Sequence, residues 1–143
     1  MTSNWYDLAH SGEGIVVQVA AFSPNADGSV SWECVFDWFT CDIDGNPIWI
    51  SGSTTIDPGN PTQVTVPASS RSGGDFAGDF GANAFEIPWG SPRSRSPDRD
   101  HMTIDYVHMP PFDTPPVTGT LHYRCLLNFD GLGCGPNAAA CPQ

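Results

Sequence analysis

The stretch Val30–Phe39, VSWECVFDWF, decides how this chain folds. Apolar side chains occupy almost every second position in it, and mainly polar or acidic side chains stand between them. Alternation of this kind predicts a β-strand with one buried face, because neighbouring side chains of a strand point to opposite sides. The residues predicted to share the buried face are Val30, Trp32, Cys34, Phe36 and Trp38.

Alternation of the same kind returns near the C-terminus, between Val117 and Leu127. The residues predicted to share its buried face are Val117, Leu121, Tyr123, Cys125 and Leu127. Shorter apolar runs that are bounded by Gly, Pro, Asn and Asp predict further strands. These runs are Ile15–Phe22, Pro47–Ile50, Thr62–Val66, Phe76–Phe80, Phe85–Trp89 and Met102–His108.

The strand signals number about eight, and no segment shows the apolar spacing of a helix. Sequential antiparallel strands in such a number close naturally into a barrel, which removes exposed strand edges. We therefore predict one all-β domain over residues 1–143, an antiparallel up-and-down barrel, with a two-sheet β-sandwich as the alternative. Residues 90–100, GSPRSRSPDRD, are predicted to form a flexible loop, and residues 135–143 a tail of mostly small residues.

The charge of the chain is strongly one-sided. Sixteen acidic residues stand against five arginines, no lysine is present, and the formal net charge is −11. Because this charge repels phosphate backbones and anionic lipid surfaces, neither nucleic acid nor a membrane is an expected partner. No apolar run reaches the roughly 18 residues of a membrane-spanning helix. No basic region followed by an apolar segment stands at the N-terminus, so we expect a mature chain.

Three of the five arginines, Arg93, Arg95 and Arg99, lie in the predicted loop. A solvated, mobile loop is the simpler interpretation of this segment. The alternatives are a clamp for an anionic ligand and a contact with the acidic surface of a second copy, which would make the protein a homo-oligomer.

The cysteines indicate where the protein matures. Five cysteines without a C-x-x-C motif favour an oxidising compartment, so we predict a secreted, periplasmic or cell-surface protein. Cys34 and Cys41 would lie too far apart along one strand to form a disulfide. A short turn would place Cys125 opposite Cys134 across a hairpin, at a spacing that suits a disulfide. Cys141 is then left to bond to Cys34 or Cys41, or to stay free.

The chain contains five tryptophans, whose large rings with one N–H donor suit a pocket for a small apolar or sugar-like ligand. Alternation turns Trp32 and Trp38 inward, where filling the core is the simpler explanation of both. The other three tryptophans lie beside turns, where a barrel has its mouth. The ligand-binding residues predicted for this aromatic mouth are Trp5, Tyr6, Trp38, Trp49 and Trp89.

The sequence gives only weak candidates for catalysis. Tyr106 and His108 share the inward face of one predicted strand, where they would suit proton transfer, although a hydrogen-bonded structural histidine is the simpler interpretation. Glu13 and Asp37 form a second candidate pair, of carboxylates. No metal site and no cofactor are predicted, because the Asp42–Asn46 segment fits a plain turn better than a calcium loop.

Two segments of the sequence carry a pair of motifs. They are Trp5-Tyr6-Asp7 with Ser11-Gly12-Glu13-Gly14-Ile15, and Trp38-Phe39-Thr40 with Asp42 and Gly45-Asn46-Pro47-Ile48-Trp49. The pair resembles a family of secreted bacterial proteins in which W-Y-x-x-x-x-S-G-x-G leads into a strand and W-F-T-Y-D-x-x-G-x-P-x-W forms the next hairpin. The resemblance implies secretion and a β fold, but no reaction. Cys41 stands where that family has Tyr.

A second resemblance concerns the opening of avidin-like barrels, in which an aromatic pair and a Gly-Ser turn precede the first strand. Trp5-Tyr6 and Ser11-Gly12 are similar to this opening in their order alone. The likeness is one of fold and implies no ligand contacts.

Three functions follow from these patterns. The first is a secreted barrel that binds a small apolar or sugar-like molecule, or a glycan, at its aromatic mouth. The alternative is a structural or self-assembling extracellular protein that is joined through an unpaired cysteine or its proline-rich loops. The third is a small barrel enzyme that uses the inward His108 and Tyr106 for acid–base chemistry. We expect binding rather than catalysis.

Overall fold

The computed structural model describes residues 2–10, 12–21, 26–41, 45–72, 85–108 and 116–126. All regular structure in these ranges is β, so they contain no helix that could cross a membrane. The strands are β1 (Ser3–Tyr6), β2 (Gly14–Ala21), β3 (Trp32–Cys41), β4 (Pro47–Thr55), β5 (Gln63–Thr65), β6 (Ala68–Ser72), β7 (Phe85–Gly90), β8 (Arg93–Arg95), β9 (His101–His108) and β10 (Val117–Cys125).

Antiparallel pairing joins the strands into one sheet that returns on itself, because β10 pairs with β9 on one side and with β1 on the other. β5 and β6 act as one strand with a bend, and so do β7 and β8, since β5 pairs with β8 and β6 with β7. Counted in this way, the ten strands reduce to eight. β7 pairs with β9 through one residue pair, Gly90 and His108. The prediction of an all-β, barrel-like antiparallel domain is confirmed.

Alternate residues of the strands fill the interior of the sheet. In β3, Cys34, Phe36 and Trp38 are buried and the residues between them are partly exposed, as the alternation predicts. Burial of a large apolar side chain contributes about 1.5–3 kcal/mol, which makes this interior the main source of stability. The other apolar residues of the core are Trp5, Ile15, Val17, Ile50, Val64, Val66, Ala68, Trp89, Met102, Ile104 and Tyr123.

The buried face is shorter than the alternation predicts. Val30 precedes β3 and is 44% exposed, and Trp32, the first residue of that strand, is 49% exposed. Val117, the first residue of β10, is 50% exposed. The predicted burial of these three side chains is therefore wrong. Alternation indicates the side of the sheet to which a residue points, but the packed interior ends before the strands do.

The sequence predicts a flexible loop over all of residues 90–100, but part of this segment is a strand. This strand is β8, which pairs with β5 on one side and with β9 on the other. Pro92, Ser94 and Ser96 are buried, whereas Arg93 and Arg95 between them are exposed. The period of two is present here, but its inward members are small or polar, so the segment has no apolar signal.

The packing around Ser94 explains why a small residue faces inward there. Its register partners are Val64 on β5 and Ile104 on β9, both buried. These two side chains fill the interior from either side, and the Ser94 hydroxyl donates to the Val64 carbonyl oxygen at 3.4 Å. Small residues beside large ones are a common solution where strands curve around a narrow interior.

The exposed side of β8 carries an ion-pair cluster. The guanidinium groups of Arg93 and Arg95 both contact the Asp105 carboxylate on β9, at 3.3 Å in the case of Arg93. The Thr120 hydroxyl donates to the other oxygen of Asp105 at 2.9 Å. These hydrogen bonds, with that of Thr120 the largest cause, hold the pKa of Asp105 below its ordinary value. The two arginines are thus paired within the molecule.

The two described free thiols lie at opposite ends of β3, with Cys34 buried and Cys41 exposed. Burial raises the pKa of Cys34 to about 11, which keeps its thiol protonated. Because both thiols are free, neither forms a disulfide with Cys141, which was one of the alternatives that the sequence leaves open. Cys125 is half-buried, and its Sγ lies 2.9 Å from the Ser3 hydroxyl oxygen. Its bond to Cys134 stays a prediction, because Cys134 is outside the described residues.

Several other sequence predictions also fall outside the described residues. They are the strand at Phe76–Phe80, most of the turn at Asp42–Asn46, the inward position of Leu127, and the tail at 135–143.

Gly90 should not tolerate a side chain. Its φ is +150°, and a Cβ added there would lie 2.1 Å from the Val107 carbonyl oxygen on β9. We expect Gly90→Ala to lower the free energy of unfolding by about 2 kcal/mol or more, because unfavourable backbone conformation alone costs about 1–3 kcal/mol. Urea denaturation measures the loss.

Gly28→Ala is the matched control for this measurement. Gly28 also has a positive φ, +81°, but nothing lies within 4 Å of an added methyl group. Only the backbone cost of about 1–2 kcal/mol remains there. An equal loss in the two variants would contradict the close approach of β7 to β9.

Asp105→Asn should lower the melting temperature at pH 7, because it removes the anion that binds both arginines. The folded-state pKa of Asp105 lies below the ordinary 3.8. Its contribution to stability is therefore present above that ordinary value and is lost as the pH falls through the folded-state pKa. The melting temperatures of variant and wild type should converge below pH 3.8.

Glu86→Gln serves as the control for Asp105→Asn. Glu86 lies 3.8 Å from Arg71 with both side chains well exposed, so its loss should change the melting temperature less. Calorimetric scans from pH 2 to pH 7 provide the comparison. A difference for Asp105→Asn that persists unchanged at the acid limit would show that the effect is not electrostatic.

Candidate functional site

The two ends of the barrel-like sheet carry different side chains. We define the pocket end as the one where β2 ends and β3 begins, with Val19 and Trp32. We define the carboxylate end as the one where β1 ends and β2 begins, with Asp7 and Glu13. The strands run antiparallel, so the loops at each end alternate along the chain.

A pocket of about 830 Å³ occupies the pocket end. Trp32 forms part of its wall, and the backbone N–H of Ile56 donates to the Trp32 carbonyl oxygen at 2.8 Å, which ties the end of β4 to the start of β3. The Thr2 hydroxyl accepts the N–H of Val19 at 2.9 Å and holds β2 in the same way. The lining residues are Thr2, Val19, Ser29, Val30, Ser31, Trp32, Thr55, Ile56, Pro58 and Pro61.

The chemistry of this pocket is apolar with hydroxyl groups, and none of the lining side chains that the structure describes is charged. Its volume falls within the range of about 300–1,000 Å³ that small-molecule sites span. An exposed tryptophan face together with aliphatic and proline surfaces favours an apolar ligand body, while serine and threonine hydroxyls suit a few polar atoms.

A second pocket, of about 470 Å³, lies beside the ion-pair cluster on the outer face. Its lining includes Arg95, Asp105 and Thr120, which already bind one another. An anionic ligand there would have to compete with Asp105 for the arginine. Arg93 and Arg95 are therefore not free to clamp an anion, whereas Arg99, the third arginine of that predicted clamp, makes no ion pair among the described residues.

The structure does not assemble the five predicted ligand-binding residues into one surface. Trp5, Trp38 and Trp89 are core residues, exposed by 2%, 4% and 7%. Trp49 is 68% exposed and packs its ring edge against Phe39 at a centroid distance of 5.0 Å. It alternates with the inward Ile50 and so lies on the outer face, as does Tyr6 next to Trp5.

Trp38 and Trp89 pack against the two residues predicted for catalysis. Ring centroids of Trp38 and Tyr106 lie 5.6 Å apart, and His108 stacks on Trp89 at 4.9 Å. The Tyr106 ring covers Gly119 on β10, where an added Cβ would approach the hydroxyl oxygen to 2.5 Å. Gly119 therefore leaves the space that the tyrosine occupies.

His108 makes a structural hydrogen bond. Its Nδ1 lies 2.9 Å from the Trp89 carbonyl oxygen, and because a carbonyl can only accept, Nδ1 carries the proton. Tyr106 and His108 thus lie together on the inward side, as predicted, but neither lines the two pockets described above.

Three titratable side chains converge at the carboxylate end. Asp7, His10 and Glu13 each offer a ligand atom, and these atoms lie within 4.8 Å of one another. The Asp7 carboxylate accepts the N–H of Ala9 at 2.7 Å and contacts Nδ1 of His10 at 2.8 Å. The Thr40 hydroxyl donates to one oxygen of Glu13 at 2.5 Å.

The charges of this cluster act on one another. The hydrogen bond with His10 lowers the pKa of Asp7, and the same bond raises the pKa of His10. The Asp7 side chain is 8% exposed, whereas that of His10 is 62% exposed. A buried carboxylate is thus joined to an exposed imidazole at the rim of the sheet.

The strand register places Tyr123 next to this cluster. β1 and β10 pair Tyr6 with Arg124, so the antiparallel register places the next residue, Asp7, opposite Tyr123. On the other side, β1 and β2 pair Tyr6 with Gly14, so the register places Asp7 opposite Glu13. All three positions alternate with outward residues and belong to one inward row.

Tyr123 brings an unsatisfied polar group into that row. Its side chain is 1% exposed, and neither its hydroxyl nor the Trp38 indole N–H has a hydrogen-bond partner among the described residues. Burial raises the pKa of Tyr123, and the carboxylates of Glu13 and Asp7 raise it further. The Trp38 N–H is nearby but outside hydrogen-bonding geometry, and it lowers the same pKa.

Sequence reasoning missed most of these residues. It paired Glu13 with Asp37, but Asp37 alternates with the buried Phe36 and Trp38 and faces outward, whereas Glu13 lies beside Asp7. The available signal was the period of two, which extends the inward face of β1 from Trp5 to Asp7. It also assigned Trp32 to the core, although this residue lines the pocket.

Comparison with protein-family models, with curated protein sequences and with solved structures found no match to this chain. Its candidate sites therefore have to be argued from their own geometry.

Proposed function

We propose that the protein is an extracytoplasmic binding protein that holds a small, uncharged and largely apolar molecule at the pocket end. The observation that carries this proposal is the 830 Å³ pocket with Trp32 in its wall and no charged side chain among its described lining residues. The proposal keeps the predicted class of function but moves the site. The aromatic side chain at the mouth is Trp32, and not the five residues that the sequence favours.

The charge of the molecule supports an uncharged ligand. The net charge of −11 disfavours anions over the whole surface, and the described lining of the pocket offers no carboxylate to bind a cation. Selectivity then rests on shape and on apolar contact, with the Trp32 ring as the largest single surface.

The extracytoplasmic location rests on the cysteine content and on the resemblance to secreted bacterial proteins. Two features keep the pocket formed when no ligand is bound. The pocket walls are tied by the Ile56–Trp32 and Val19–Thr2 hydrogen bonds, and the packed core lies directly behind them.

A titration with the neutral apolar dye N-phenyl-1-naphthylamine tests the proposal. We expect a saturable rise in dye fluorescence with one site per chain, and quenching of tryptophan emission by energy transfer. Trp32→Ala should weaken binding about tenfold, because losing a ring contact of about 1.4 kcal/mol changes the Kd by that factor. Val30→Asp, which places a charge in the wall, should abolish binding.

Trp49→Ala is the matched control, because Trp49 is also an exposed tryptophan but lies on the outer face away from the pocket. Its Kd for the dye should equal that of the wild type. Equal weakening by Trp32→Ala and Trp49→Ala, or a linear rise without saturation, would show non-specific adsorption and overturn the proposal. Sedimentation of the same samples shows whether dye binding accompanies self-association.

A further inference from the structure

We propose that Asp7, His10 and Glu13 form a binding site for a divalent transition-metal ion such as Zn²⁺ at the carboxylate end. The proposal is independent of the ligand pocket, which lies at the other end of the sheet. It assigns a function to a cluster that neither the binding proposal nor the core explains.

The ligand geometry is the first ground for the proposal. Two ligand atoms on one tetrahedral Zn²⁺ ion lie about 3.3–3.6 Å apart, since each bond is about 2.0–2.2 Å long. The three ligand atoms here lie within 4.8 Å of one another without an ion present. Side-chain rotations that move these atoms by about 1 Å would bring all three onto one ion.

The orientation of the carboxylates is the second ground. Asp7 uses one oxygen to accept the Ala9 N–H, and its other oxygen faces His10. One oxygen of Glu13 accepts the Thr40 hydroxyl, and a carboxylate has a second oxygen with free lone pairs. Hydrogen bonds that fix one oxygen and present the other are the usual support of metal ligands.

The buried Tyr123 hydroxyl is a third and independent ground. It is 1% exposed, has no partner among the described residues, and belongs to the same inward row as Asp7 and Glu13. A three-ligand ion keeps a coordination position for water. Such a water would supply the hydrogen-bond partner that the tyrosine lacks.

The electrostatics of the cluster also favour a cation. Two carboxylates that share a site repel each other unless a positive charge compensates them. Within the described part of the chain, arginines pair with Glu86 and Asp105 and not with Asp7 or Glu13. Among the described residues the only ion-pair partner of these carboxylates is His10, which carries a charge only when it is protonated.

The donor set selects the type of ion. Two carboxylate oxygens with one imidazole nitrogen suit Zn²⁺ and its first-row neighbours. Ca²⁺ and Mg²⁺ prefer all-oxygen sites with more ligands, so they should bind this cluster weakly.

Calorimetric titration of the full chain with ZnCl₂, after treatment with EDTA and removal of the chelator, tests the site. We expect one site per chain, and a Kd that Asp7→Asn and Glu13→Gln each raise at least tenfold. CaCl₂ and MgCl₂ should give no comparable heat. Circular dichroism in EDTA checks that each variant retains the fold, so that loss of binding is not loss of structure.

Asp98→Asn is the matched control. Asp98 and His101 form a contact with the same i,i+3 spacing, 2.9 Å long, but they belong to no described cluster of three ligands. Zinc binding should be unchanged in this variant. Substitution of Co²⁺ gives a second readout, because ligation by oxygen and nitrogen produces visible bands without a thiolate-to-metal charge-transfer band.

Three results would overturn the metal site. They are the absence of zinc binding, a zinc isotherm that Asp7→Asn and Glu13→Gln leave unchanged, and a thiolate band that assigns the metal to cysteine. The dye titration reports only on the pocket end and the zinc titration only on the carboxylate end, so failure of one proposal can be told apart from failure of the other.

Discussion

The pairing of β1 with β10 is the constraint on which the rest of the structure depends. It joins Trp5 to the register position of Cys125, far along the chain, and makes β1 the link between β2 and β10. A sheet closed in this way has one inside, so the inward face of each strand is set by its neighbours. Trp5, Ile15 and Trp38 become one row of the core for this reason.

Closure also determines what the two ends of the sheet can become. The inward rows continue past the packed centre, and side chains there need not be apolar because they face a rim. At one rim the rows continue into Asp7 and Glu13, where charge collects. At the other they continue into Trp32 and Ile56, where apolar surface remains partly exposed around a pocket. The same alternation therefore produces two sites of opposite chemistry.

The sequence was sufficient to predict the fold class because the long strands carry their signal in large apolar residues. Cys34, Phe36 and Trp38 fall inside as expected. β8 was missed because its inward residue Ser94, and Ser96 just after the strand, are small and polar. Ser94 fits because its register partners Val64 and Ile104 fill the interior on either side of it. How deeply each inward side chain is buried could not be predicted either, since this depends on where the neighbouring strands end.

The candidate sites were harder to predict than the fold, because a site depends on residues that meet across strands. Asp7 and Glu13 are neighbours only through the β1–β2 register, and Tyr123 joins them only through β1–β10. The number of tryptophans suggested an aromatic mouth of the barrel. A closed interior also needs large rings to fill it, and Trp5, Trp38 and Trp89 lie in the core for this reason.

The packed centre keeps the two sites separate. Phe36, Trp38 and Tyr123 are buried between the pocket end and the carboxylate end, so the pocket is a recess and not a channel. Coupling between two sites requires an element with two arrangements that both ligands bias. A close-packed interior offers no second arrangement at low cost. β3 runs past both ends, but its middle is held by this core, so the two proposals together imply that a ligand in the pocket and an ion at the carboxylates would bind independently of each other.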